Sequence, residues 1–186
     1  MDKQHENPLG VEPINHLMAR FAIPSIIAML VSALYNMVDQ FFIGHSVGMQ
    51  GNAATNVAFP LTITCTAVSL LFGIGGAANF NLSMGRKKPE EAKHFIGNAI
   101  FLMLSFGITL CLLVFLFLDP LLKLFGATAD ILTYSRTYTS ITAFGFPFVI
   151  LATGGSNLVR ADGSPNFSMA CTLIGCLINL VLDPLF

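Results

Sequence analysis

Apolar residues gather into five runs separated by short polar stretches: Phe21–Ile43, Val57–Met84, Phe95–Leu118, Ile131–Leu158 and Phe167–Phe186. Each run is about 20 residues or more, enough to cross a hydrocarbon core of about 30 Å as an α-helix. The stretches between them, Gly44–Asn56, Gly85–His94 (GRKKPEEAKH), Asp119–Asp130 and Arg160–Pro165 (RADGSP), are short and carry turn chemistry, so they are read as linkers. The pattern predicts an all-α, polytopic transmembrane helix bundle of about five helices. Residues 1–20 are polar and lack a compact apolar core with a small-residue cleavage site, so they read as an N-terminal segment and not as a cleaved signal peptide. The last run stops at NLVLDPLF without polar cap or basic flank. Terminal carbonyls in hydrocarbon are costly, and a truncated chain is the expectation.

Composition sharpens this picture. Of the 186 residues 54% are hydrophobic and only 10% charged, far from the quarter usual in soluble domains. The formal net charge is −1, and the basic residues form short clusters without interleaved aromatics, which argues against a nucleic-acid partner. Their distribution sets an orientation. If the runs alternate, Lys3, Arg20, Arg86, Lys87, Lys88, Lys93 and Arg160 share one side and Lys123 and Arg136 the other. Cytoplasmic loops carry the excess of Lys and Arg, so the N-terminus is expected in the cytoplasm.

Polar groups inside the runs carry the candidate chemistry. Asp39 lies within the first run, in YNMVDQFFIG, where an aspartate costs about 2.5–3.5 kcal/mol at mid-membrane and usually faces a water-filled path or a partner. At about 1.5 Å per residue, Asp39 lies roughly 27 Å from Phe21 and Asp183 roughly 24 Å from Phe167, while Tyr138 enters from the opposite side about 12 Å past Asp130. These residues are expected at one depth, in the outer third. Tyr35 and Asp39 are four apart, as are Asn179 and Asp183, so each pair projects from one helical face. Two carboxylates in a low-dielectric pocket cannot both stay ionised without a cation, which makes a proton or a sodium ion the natural third party. A hydrated interfacial Asp39 and a static hydrogen-bond network are the structural alternatives. Pro184 removes an amide and frees the carbonyl of Leu180, and Pro24, Pro60 and Pro147 do the same in other runs, as fixed kinks or as hinges.

Other features are weaker. The glycines of GIGGAANF (Gly73–Phe80) have no preceding strand and read as close helix packing rather than a nucleotide loop. Asn79 and Asn81 are expected to bond across helices or to line a polar cavity. Cys65, Cys111, Cys171 and Cys176 all fall in apolar runs and read as small packed hydrophobes. His5, His16, His45 and His94 lack metal-ligand spacing, and no nucleophile–base arrangement is apparent, so neither an enzyme nor a cofactor is expected.

The segments YNMVDQFFIG, GNAATNVAFPL, FGFPF, RADGSP and NLVLDPLF, in this order, resemble the multidrug and toxic compound extrusion (MATE) family, and ENPLG with TGGSNLVRADGSP is similar to its MepA-like bacterial branch. The resemblance implies a twelve-helix plasma-membrane exporter of two six-helix lobes, of which residues 21–186 form an incomplete N-terminal lobe with the second lobe missing. It implies exchange of inward proton or sodium flow for outward movement of small amphipathic or cationic substrates across the lipid bilayer. It assigns the cation site to the positions of Asp39, Tyr138, Asn179 and Asp183, and a bending role to Pro24. A flippase for lipid-linked oligosaccharides, for which Arg136 is the one cavity-facing cation candidate, and a non-transporting helical membrane protein are the rival readings.

Overall fold

A computed structural model of the chain describes residues 13–46 and 48–182. Among the described residues every regular element is a helix: α1 (Ile14–Ser46), α2 (Met49–Gly85), α3 (Pro89–Leu116), α4 (Leu118–Leu124), α5 (Ala129–Ala161) and α6 (Pro165–Leu182). Four of them, α1, α2, α3 and α5, are long and apolar enough to cross a membrane, and α6 is a shorter apolar helix.

The helix ends follow from the local sequence. Pro89 opens α3 at a position where its missing N–H is no loss, and Glu90 and Glu91 in the first turn complement the helix dipole. The break between α3 and α4 at Phe117 has a similar cause. Pro120 has no amide for the carbonyl of Leu116, four residues back, and its ring crowds that carbonyl. Helices α2, α4 and α5 end in the same paired hydrogen bonds: Lys87 N to Met84 O (3.0 Å) with Lys88 N to Ser83 O (3.0 Å), Gly126 N to Lys123 O (3.1 Å) with Ala127 N to Leu122 O (2.9 Å), and Gly163 N to Arg160 O (3.1 Å) with Ser164 N to Val159 O (3.3 Å). The motif needs a left-handed residue. Glycine supplies it in α4 and α5, whereas α2 places Lys87 there at φ 59°.

Two expectations about linkers are corrected. The stretch Gly44–Asn56 is mostly helical: α1 runs to Ser46 and α2 restarts at Met49, after Gly48 at φ 76°. Its polar residues lie on helix ends that outrun the apolar core, since 33 and 37 residues make helices of about 50 and 55 Å. The stretch Asp119–Asp130 holds most of α4.

The chain divides into two compact units, residues 40–158 and residues 1–39 with 159–186. In the first, α2, α3 and α5 meet at small residues. A Cβ added to Gly73 of α2 would lie 2.7 Å from Gly154 Cα of α5, and one added to Gly107 of α3 would lie 2.7 Å from Pro147 Cα of α5. One added to Gly76 would lie 2.7 Å from Ala99 Cβ, and one added to Gly154 would collide with the sulfur of Met103. Lipid tails are as apolar as leucine, so packing of this kind, not water exclusion, holds spanning helices together. Met103, Ile150, Ala143 and Ser69 are fully enclosed around these crossings.

In the second unit α1 meets α6. Ser32 Oγ lies 3.9 Å from Cys176 Sγ. Pro24 and Ala28 are buried two turns and one turn before Ser32, and α1 continues unbroken through Pro24. Arg160 Nε donates to the buried Ser168 Oγ at 3.1 Å, tying the end of α5 to the first turn of α6.

Candidate functional site

Asp39 sits in α1, half-buried, two turns before the helix ends. Tyr35 lies one turn earlier and is also half-buried, and each of these two side chains has a partner. Asn179 is in α6 and belongs with Asp39 to the same compact unit. Tyr138 lies in α5, in the other unit, 37% exposed and likewise partnered. Asp183 and Pro184 fall outside the described residues.

The Ser32–Cys176 contact fixes how α1 and α6 are aligned. A chain that crosses in alternation on α1, α2, α3 and α5 enters α6 in the direction of α1, so the two helices run parallel. Ser32 and Cys176 are separated by 144 positions. Tyr35 and Asn179 have the same separation, one turn further along each helix. Two parallel helices rising about 1.5 Å per residue keep such pairs level. On parallel helices the contact would leave Tyr35 and Asn179 level with each other, about 4.5 Å beyond it. Asp39 is seven positions past Ser32, two turns on the same face. Sequence reasoning singled out the carboxylates, read Cys176 only as a small packed hydrophobe and did not weigh Ser32. Their signal was present as a constant offset between two polar patterns, but nothing identifies a meaningful offset until one pair is seen in contact.

The remaining intramembrane polar groups are largely satisfied within their own helices. Asn36 Nδ2 donates to Ser32 O at 2.8 Å. Asn79 Nδ2 donates to Gly75 O at 2.8 Å, correcting the expectation of a bond across helices. The amide reaches the carbonyl one turn back more easily than a neighbouring helix. Arg136 forms a two-pronged ion pair with Asp119, with Nε to Oδ1 at 2.9 Å and NH2 against Oδ2. Lys88 and Lys93 pair with Glu91 (2.6 Å) and Glu90 (2.8 Å) at the turn between α2 and α3.

Fold and site together define a class, an all-α multi-pass membrane protein with an acidic side chain inside a span. The family model MatE matches residues 24–185. The chain belongs to that family of transporters. It is similar to the multidrug export protein MepA of Staphylococcus haemolyticus, 28% identical over 168 residues that cover 90% of this chain and 37% of that protein. It is similar to the FAD transporter of Shewanella oneidensis, 27% identical over 173 residues that cover 93% of this chain and 38% of that protein. Its fold matches the solved structure of the MATE multidrug transporter DinF-BH with a TM-score of 0.91 and 34% identity, over all of this chain and 42% of the other. The chain thus spans about two-fifths of the length of these relatives.

Proposed function

We propose that the chain forms the cation-coupling part of a multidrug exporter, in which a proton or a sodium ion entering at Asp39 is exchanged for a small amphipathic or cationic compound moving out. The observation that carries this is a carboxylate inside α1, two turns beyond the contact that aligns α1 with α6. Asp183 has the same 144-position separation from Asp39 as Cys176 has from Ser32. That spacing supports a shared cation for the two acids, because two ionised carboxylates in low dielectric repel and a bound cation offsets that repulsion. Asn179 and Tyr138 are proposed as its neutral ligands, and Pro24 and Pro184 as the bend points that let α1 and α6 respond.

Alternating access then follows from differential binding: the cation favours one packing of the lobe, the cargo favours the other, and neither moves the equilibrium beyond its difference in affinity for the two. The relatives named for multidrug export support drug-like cargo. An acidic site favours a cation over an anionic flavin nucleotide, the cargo named for the Shewanella relative. Arg136 is already paired with Asp119, which counts against the lipid-linked sugar reading. The excess of Lys and Arg at the turns 86–88 and 160–165 supports a plasma-membrane protein with a cytoplasmic N-terminus.

Efflux of ethidium from cells carrying the protein tests the proposal. Asp39→Asn is expected to reduce efflux to the level of cells without the protein while leaving membrane insertion intact. Normal efflux by the variant contradicts the coupling role.

A further inference from the structure

We infer that Ser32 and Cys176 are positioning residues that key the axial register of α1 on α6 and thereby set the surroundings of Asp39. The inference rests on the coupling role proposed above for that aspartate.

Three observations carry it. The two side chains are in contact at 3.9 Å between helices that belong to one compact unit. Both are small and half-buried, in a stretch where α1 is otherwise rimmed by large exposed side chains such as Leu30, Leu34 and Met37. The separation of 144 positions recurs at Tyr35 and Asn179, so a contact at Ser32 and Cys176 brings the next tier of polar groups level. A weak hydroxyl–thiol contact holds helices loosely, but its size matters. Small residues let two spanning helices approach, and a bulky one at either position forces a lateral shift or an axial slip. An axial slip of one residue displaces every tier by about 1.5 Å and turns the polar face by about 100°. The ligands then remain in the sequence while their geometry is lost.

The experiment uses the chain reconstituted in lipid and three readouts. In Ser32→Cys, mild oxidation is expected to join positions 32 and 176 in a disulfide identified by peptide mass spectrometry, while Ala33→Cys gives none. In the unmodified chain the infrared carboxyl band of Asp39, assigned by its loss in Asp39→Asn, is followed against pH. Ser32→Leu is expected to move the midpoint of that band by about one pH unit or more, since its neighbours change. Cys176→Gly combined with Ser32→Leu is expected to bring it back by making room for the leucine. A disulfide with an unmoved midpoint in Ser32→Leu overturns the positioning role while the assignment of Asp39 stands. Failure of Ser32→Cys to cross-link overturns the contact itself. If Asp39→Asn leaves the band in place, the site reading falls and the positioning role falls with it.

Discussion

Gly73 and Gly75 lie two residues apart on α2, yet a methyl group added to each is expected to act with opposite sign. At Gly73 the new Cβ would stand 2.7 Å from Gly154 Cα and 2.8 Å from Gly154 O, both backbone atoms of α5 that cannot rotate away. Ordinary contact begins at about 3.4 Å, so the helices must part by roughly 0.7 Å at their crossing. A gap of that size forfeits a quarter to a half of each contact's ~0.1–0.2 kcal/mol, and over on the order of 30 atom pairs the loss is about 1–2 kcal/mol. Overpacking strain of 1–3 kcal/mol is the usual range for such insertions. Gly73→Ala is therefore expected to destabilise by about 2 kcal/mol, or roughly 30-fold in the folded-to-unfolded ratio. At Gly75 nothing lies within 4 Å of the added Cβ. There the change only improves helix propensity, and Gly75→Ala is expected to stabilise by about 0.5–1 kcal/mol. Unfolding in mixed micelles, followed by far-ultraviolet circular dichroism, measures both. A Gly73→Ala variant within about 0.5 kcal/mol of the unaltered chain, or two shifts of the same sign, refutes the close crossing of α2 and α5.

Two further outcomes follow from the helix ends and the surface. Lys87 holds φ 59° at a position where glycine is relaxed, so Lys87→Gly is expected to raise stability by about 1 kcal/mol in the same assay; a loss of stability would mean that the lysine side chain contributes more than its backbone costs. Arg136 and Asp119 are 53% and 39% exposed as side chains, and Arg136→Ala is expected to leave stability close to that of the unaltered chain, with any difference shrinking in high salt; a large loss that persists in high salt would show the pair to be far better shielded than its exposure indicates.

The spans themselves were legible because apolar runs of membrane length leave little choice of structure. Their limits were not. Gln50, Asn52 and Asn56 read as linker by hydropathy, but a spanning helix can continue into the aqueous boundary, so polarity marks the end of the hydrocarbon and not the end of the helix. Helix α4 escaped notice because seven residues after Phe117 are too few to show a period, and Pro120, which breaks α3, is compatible with a first turn. The glycines of GIGGAANF announced close packing without naming a partner. That Gly73 meets Gly154, 81 positions away in sequence, is a property of the folded chain. Asp39 stood out because a charge in a span is conspicuous. Ser32 and Cys176 did not, since small polar residues are common in spanning helices and their pairing becomes visible only in three dimensions.

Exchange of a proton or a sodium ion at Asp39 is the coupling step proposed above. The purified protein in weakly buffered solution, without sodium, can be titrated with a lipophilic cation while the pH is recorded. Cargo binding is expected to release close to one proton per molecule bound, or sodium where the protein was loaded with it beforehand, and Asp39→Asn is expected to abolish the release. Cargo binding that frees neither ion, or equal release from the Asp39→Asn variant, would contradict the coupling role.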